Sequence, residues 1–389
     1  MIRKVYLPRS VDGAASAMTT YGIPLLVVAT TNSAMLAGLA FALEWLPRLV
    51  AFTVAGTAVD RHGAARVFRL ACIGRTLAVT TAMLLTVAGY GVPVVVMVLA
   101  PLTGFLTECS YLAAETTGGE ASRRAGGRAH RVQSVLLGID QLAMLAGPLI
   151  SGLLLEWGGP DLLLGTLATC SLLAAALVPR QPTMARATVA RGSGAGAGWR
   201  TLRSLPALAW LVGGLIVSNT AVALLQAAMP VIVVTGLGRS SADAGLIWSA
   251  AALASLFAIT AARRAIDRWG LWPVGATAAV LASGATLAIA QADTYRAYLL
   301  LIAALMAGEG GLTVVLRTLR SHLIPSEVFA SALSLTILLL LAPYPAAGLL
   351  VAAIPPEGIG PAVTAAALLQ ALGLFTAFAR LRTLPTVPA

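Results

Sequence analysis

The chain has 389 residues, 58% of them hydrophobic and only 11% charged. A soluble domain carries about a quarter charged residues, so this composition excludes one and requires a chain that crosses the membrane many times. The formal charge of +11 does not indicate a nucleic-acid surface, because the arginines fall in alternate connections rather than in a stripe with interleaved aromatics.

A span needs about 20 predominantly apolar residues. Such runs fall near 10–30, 33–57, 70–90, 94–117, 132–154, 160–179, 205–233, 242–264, 271–291, 295–318, 327–352 and 360–381. One set of connections is basic, with Arg3, Lys4 and Arg9, then Arg61, Arg66 and Arg69, then Arg123 to Arg131, Arg180 to Arg203, Arg263 to Arg268, Arg317 with Arg320, and Arg380 with Arg382. The alternate set is not. The positive-inside rule therefore predicts cytoplasmic termini, which requires an even number of spans, and twelve satisfies it. The basic start runs into Asp12, Ser16, Thr19 and Thr20 without a small-residue cleavage site, which predicts a retained first span.

Span 1 presents Asp12, Ser16, Thr19 and Thr20 on one helical face. An ionisable group in hydrocarbon costs about 2.5–3.5 kcal/mol on insertion scales, so each one is a functional candidate. Span 2 carries Glu44 and Arg48 at i, i+4 around Pro47, a spacing that permits either a locked ion pair or a working one. Arg48 reads as the one basic residue near a span's middle. Span 4 carries Glu108, Tyr111 and Glu115; Glu108 reads as a proton carrier, and Glu115 as a partner for a basic residue such as Arg66. Span 5 carries Asp140 and the small-residue run with Gly147, Pro148, Ser151 and Gly152, suited to close packing and a bend.

The connection from Arg180 to Ser204 is rich in Gly, Ser, Ala and Arg and predicts a flexible tether. It divides the chain into bundles at 1–180 and 205–389, with 181–204 as the linker. The two halves echo each other, since Asp60-Arg61-His-Gly63 follows span 2 and Asp267-Arg268-Trp-Gly270 follows span 8, 207 residues later. In the second half, Asn219 and Gln226 form a neutral polar stripe. Glu309 sits among glycines as the leading candidate of that half, with Arg317 and Arg320 read as interfacial anchors. The three cysteines, Cys72, Cys109 and Cys170, read as small apolar residues, and neither a zinc site nor a disulfide framework is predicted. His62, His130 and His322 fall in connections.

Gly56-Thr-Ala-Val-Asp60-Arg61-His-Gly63 resembles the Gly-x-x-x-Asp-Arg-x-Gly signature between helices 2 and 3 of the major facilitator superfamily, with Ala64 and Ala65 where basic residues are usual and positive charge returning at Arg66. Ala143-Met-Leu-Ala-Gly147-Pro148-Leu-Ile-Ser151-Gly152 resembles the helix 5 motif of that family's exporters. The stretches Leu43 to Leu49 and Gly308 to Glu327 are similar to its branch of macrolide, multidrug and enterobactin-type siderophore exporters. The resemblance implies an all-α integral membrane fold of twelve helices in two pseudo-symmetric six-helix bundles, resident in the plasma membrane. It implies a hinge or gating role for Gly56, Asp60, Arg61, Gly63, Arg66, Asp267, Arg268 and Gly270, and for Gly147, Pro148 and Gly152. It also implies proton-coupled export of small amphipathic molecules, with no cofactor beyond the proton gradient and with lipid, substrate and protons as partners of a monomer. The acids Asp12, Glu44, Glu108, Asp140 and Glu309 are the coupling candidates, with Arg48, Asn219 and Gln226 beside them. An uptake carrier, an uncoupled facilitator or a transporter-like sensor are the alternatives. A membrane enzyme is disfavoured because neither His-Glu-x-x-His nor Gly-x-Ser-x-Gly occurs.

Overall fold

Inside a bilayer every backbone N–H and C=O must be satisfied within the protein, and an open chain achieves that only as helix. The computed structural model describes residues 5–125, 129–178, 195–324 and 329–384, and among these it contains helices and no strand. The helices are α1 (Leu7–Thr31), α2 (Ala34–His62), α3 (Ala64–Val87), α4 (Val92–Ala125), α5 (Ala129–Leu177), α6 (Ala195–Ser204), α7 (Pro206–Pro230), α8 (Ser241–Trp269), α9 (Leu271–Ile289), α10 (Tyr295–Leu323), α11 (Phe329–Leu341), α12 (Pro343–Ala353) and α13 (Ile359–Thr383). The first part of the expected linker, 181–194, and the side chain of Asp60 lie outside what is described.

Eleven stretches are long and apolar enough to cross a membrane among the described residues. The twelfth crossing is inside α5. At ~1.5 Å per residue its 49 residues run more than twice the ~30 Å of hydrocarbon. The helix breaks at Gly159, with φ 63° and ψ −158°, just before Pro160, and so holds the fifth and sixth crossings predicted from sequence.

Three elements differ from the sequence reading. Residues 195–204, expected as tether, form α6, because Leu202 gives this short helix an apolar side to bury while Trp199, Arg200 and Arg203 stay exposed. Crossing seven does not stay α-helical to its end: after Pro230, which leaves a carbonyl one turn back without its donor, the chain widens into a π turn at Val231–Gly236. Crossing eleven is split into α11 and α12, since Pro343 and Pro345 cannot donate to the preceding turn. Asn219 on α7 packs against the end of α11, its Nδ2 donating to the Leu340 carbonyl at 2.9 Å.

The chain forms two compact units, Met1–Val189 with Met229–Ser249, and Ala190–Ala228 with Ala250–Ala389. In the first, α1 lies along α5, α2 along α4, and α3 against both α4 and α5. Small residues set these contacts: Ala51, Ala55, Ala71 and Cys109 form one buried cluster, and Cys72, Ala113 and Ala174 part of another. Cys72 and Cys109 are buried as expected, whereas Cys170 is only half-buried. In the second unit, α9 packs against α10 and α13.

The repeated tetrapeptide has one geometry in both units. Gly63 joins α2 to α3 at φ 82°, ψ 142°, and Gly270 joins α8 to α9 at φ 83°, ψ 170°. Each donates its N–H back over 2.9 Å, to the Val59 and Ile266 carbonyls. A side chain is strained in this region of φ/ψ by about 1–3 kcal/mol. Gly63→Ala and Gly270→Ala are each expected to lower the unfolding midpoint of the detergent-solubilised protein. Gly56→Ala, whose Cβ meets nothing within 4 Å, serves as the control and should leave it unchanged. Gly56 thus faces open space.

Candidate functional site

Three arginines organise the buried polar groups of the first unit. Arg9, at the start of α1, donates from Nε and Nη2 to Asp140 of α5 at 2.9 and 2.6 Å, pairs with Glu115 of α4, and lies 5.4 Å from the centre of the Tyr111 ring. Glu115 therefore pairs with Arg9 and not with Arg66, which is exposed. The helix ends bring α1, α4 and α5 together there, and the side chains of Glu115 and Asp140 remain 42% and 31% exposed.

Arg75, in the middle of α3, is fully buried and was not anticipated. Its Nη2 pairs with Asp12 of α1, its Nε donates to Ser171 Oγ at 2.8 Å, and its Nη1 donates to Ser16 Oγ at 3.2 Å and Thr107 Oγ1 at 3.3 Å. Arg48 is therefore not the one basic residue within a span. Grouping Arg66 and Arg69 with the basic connection hid Arg75, although a charge a few residues inside an apolar run was the available signal. Asp12 is matched one to one with this guanidinium, and Arg75 binds four helical segments into one network.

Arg48 holds the third cluster. Its Nη2 pairs with Glu44 one turn back and donates to Thr20 Oγ1 of α1 at 2.7 Å, while its guanidinium carbon stacks 4.4 Å from the Trp45 ring centre. Across from it on α4, Glu108 is 7% exposed and lies within the field of Arg48. Glycine at 104 lets α4 lie against the α2 backbone, where a Cβ would sit 3.2 Å from Glu44 Cα. The ion pair of Arg48 is with Glu44, none of the described ion pairs includes Glu108, and Glu44 Oε2 and Arg48 Nε have no hydrogen-bond partner.

Glu309 of α10 is 8% exposed in the second unit. It accepts from Ser218 of α7, and Gln370 of α13 donates from Nε2 to Ser218 Oγ at 2.7 Å and to Glu309 Oε1 at 3.4 Å. No described Lys or Arg forms an ion pair with it. Gln370, fully buried, was not singled out from the sequence; its Oε1 has no partner. Gln226 is buried in the same unit, while Asn219 of the expected substrate stripe is committed to the Leu340 carbonyl. Arg320, expected at the interface, is buried.

The helix 5 motif is packed on both sides. A Cβ at Gly147 would lie 3.1 Å from the Ala17 backbone of α1, and one at Gly152 would lie 2.6 Å from Ala242 Cα at the start of α8. Gly245 of α8 returns the approach against Pro148, and the rings of Trp248 and Tyr21 lie tilted with their centres 5.7 Å apart. At the corners, Arg61, Asp267 and Arg268 are exposed, while Arg69 reaches across to donate to the Val178 carbonyl at 2.6 Å.

A sequence model of the Major Facilitator Superfamily matches residues 9–341. The multidrug efflux pump Tap of Mycolicibacterium fortuitum is 33% identical over 210 residues, 52% of this chain and 48% of that protein. Tap of Mycobacterium tuberculosis is 34% identical over 150 residues, 38% of this chain and 36% of that one. The chain thus spans half or less of the length of these curated relatives. Among solved structures, a bacterial homologue of the iron transporter ferroportin in an inward-facing state has a TM-score of 0.75 at 15% identity, covering 96% of this chain and 98% of that one. The nucleoside transporter NupG has a TM-score of 0.77 at 10% identity, covering 96% and 99%. At those identities the likeness is one of fold.

Proposed function

The chain belongs to the Major Facilitator Superfamily, a family of multi-pass membrane transporters, and on that premise we propose that it is a proton-coupled exporter of small amphipathic molecules such as drugs, secondary metabolites or siderophores. Its halves, 1–180 and 205–389, rock about a mid-membrane cavity by alternating access. The basic connections and both termini face the cytoplasm.

The observation that carries the coupling is the balance of buried charge. Asp12 has its own arginine, and Glu115 with Asp140 share Arg9 and are partly exposed. Glu44 has Arg48, and no described cation forms an ion pair with Glu108 or Glu309. Buried carboxyls short of positive charge need a proton or a cationic substrate group to complete them. That exchange, one for the other, is antiport. The unpartnered acceptors Glu44 Oε2 and Gln370 Oε1 favour a substrate that donates hydrogen bonds or carries positive charge. Export is supported by the helix 5 motif and by the name of the Tap relatives.

Glu108→Gln is expected to lower proton-driven efflux about tenfold or more, with substrate exchange in the absence of a gradient retained. The comparison is made in everted vesicles across a range of external pH. An unchanged pH profile would remove Glu108 from the coupling.

A further inference from the structure

Three helices of the second unit meet through three side chains, Ser218 of α7, Glu309 of α10 and Gln370 of α13. Ser218 and Gln370 are fully buried, while Glu309 keeps 8% of its surface exposed. Their hydrogen bonds run one way. Gln370 Nε2 donates to Ser218 Oγ at 2.7 Å, and Ser218 Oγ donates in turn to Glu309 Oε1, which Gln370 Nε2 also reaches at 3.4 Å. A chain in this direction ends on an acceptor, and so completes an ionised carboxylate, which can only accept.

A protonated Glu309 needs the opposite direction. Its hydroxyl must donate, and a buried donor without an acceptor carries its whole desolvation cost. Ser218 can accept that bond only by turning its single proton away, and it then needs an acceptor where Gln370 now presents an N–H. The same amide holds that acceptor. Gln370 Oε1 is buried and has no hydrogen-bond partner among the described residues. The last torsion of a glutamine is broad and roughly two-fold, so half a turn exchanges its oxygen and nitrogen. Because Oε1 is bonded to nothing, the turn breaks no bond on the far side of the amide.

We propose that Gln370 is a positioning residue whose amide turns over when Glu309 takes up a proton, reversing the chain: Glu309 O–H donates to Ser218 Oγ, and Ser218 O–H donates to Gln370 Oε1. One proton is added to the carboxylate, and no other covalent bond changes. Glu309 therefore loads and releases its proton without stranding a buried donor, and the event on α10 is carried to α13. The groups around it do not compete for that proton. At the glycines flanking Glu309, α9 presents Ala278 and Ala282 and α8 presents Ser255, none of them titratable. Tyr344 of α12 lies within the field of Glu309, and a phenol keeps its proton at neutral pH. The inference rests on the reading of Glu309 as a coupling carboxyl.

The test is infrared difference spectroscopy of the full chain reconstituted in lipid and stepped from alkaline to acidic pH, with isotope-labelled glutamine to separate its side-chain carbonyl from the backbone. The wild type is expected to gain a protonated-carboxyl band and, over the same pH range, to show a downward shift of one glutamine carbonyl as it acquires a hydrogen bond. Glu309→Gln should lose both signals. Gln370→Met should lose the glutamine shift and keep the carboxyl band, and Ser218→Ala should reduce the shift at least twofold. A carboxyl band that vanishes in Glu309→Gln but comes with no glutamine shift in the wild type would overturn the proposal and leave the proton reading standing. Absence of the carboxyl band would remove that reading and the proposal with it. A glutamine shift that persists in Gln370→Met would also overturn the proposal. If Gln370→Met fails to fold, Ser218→Ala decides the matter: a reduced shift supports the chain and an unchanged one refutes it.

Discussion

Glu309→Gln is expected to abolish proton-driven efflux while leaving a folded, inserted protein. Glutamine keeps the shape of the side chain and an oxygen to accept from Ser218, so the contacts joining α7, α10 and α13 survive. What it loses is the exchangeable proton, at a buried candidate acid with which no described Lys or Arg forms an ion pair. The coupling between two ligands amounts to about 1–3 kcal/mol, or roughly 5–150-fold. Gradient-driven efflux should therefore fall towards the hundredfold end of that range. Substrate affinity in the absence of a gradient should move much less. Efflux of the variant at the wild-type rate, with the same response to pH, would show that Glu309 is structural.

Arg75→Ala is expected to be among the most destabilising single substitutions in the first unit. It strands Asp12 in a site sealed by α1 and α3, and removes the donor shared by Ser16, Thr107 and Ser171. Removing one partner of a buried pair costs about 3–5 kcal/mol, much of it the uncompensated charge left behind. A double substitution, Asp12→Leu with Arg75→Met, removes both charges and should recover most of that loss. Unfolding midpoints of the two single variants and the double, in detergent, form the cycle that measures the pair. If Arg75→Ala melts with the wild type, the network is not what holds α1 to α3.

The parts of the fold legible in the sequence were those written locally. Apolar run length located the crossings, and the alternation of arginine-rich connections ordered them. The tetrapeptide ending at Gly63 and again at Gly270 announced a duplication that appears as two glycines in nearly the same backbone conformation. The pair Glu44 and Arg48 was readable because its partners are one helical turn apart. Partners on different helices were not. Asp12 and Arg75 are 63 residues apart in sequence, and nothing within either helix says which neighbour its polar face meets. Gln370 looks like an ordinary polar residue of a last span until α13 is set beside α7 and α10. Asn219 reads as a substrate ligand until α7 is set beside α11, where it donates to the Leu340 carbonyl. Composition misled at α6 because Gly, Ser, Ala and Arg fill the tether as a whole, while a short helix forms at its end with Leu202 as its buried apolar side.

The central claim is that export is driven by protons taken up at buried carboxyls. Its most direct test is the pH gradient of everted membrane vesicles containing the protein, challenged with cationic dyes, macrolides and siderophores in turn, with an uncoupler as control. The account predicts that at least one of these substrates collapses the gradient in wild-type vesicles and fails to do so in Glu309→Gln vesicles. Transport of a substrate that proceeds at the same rate with the gradient present or dissipated would contradict it.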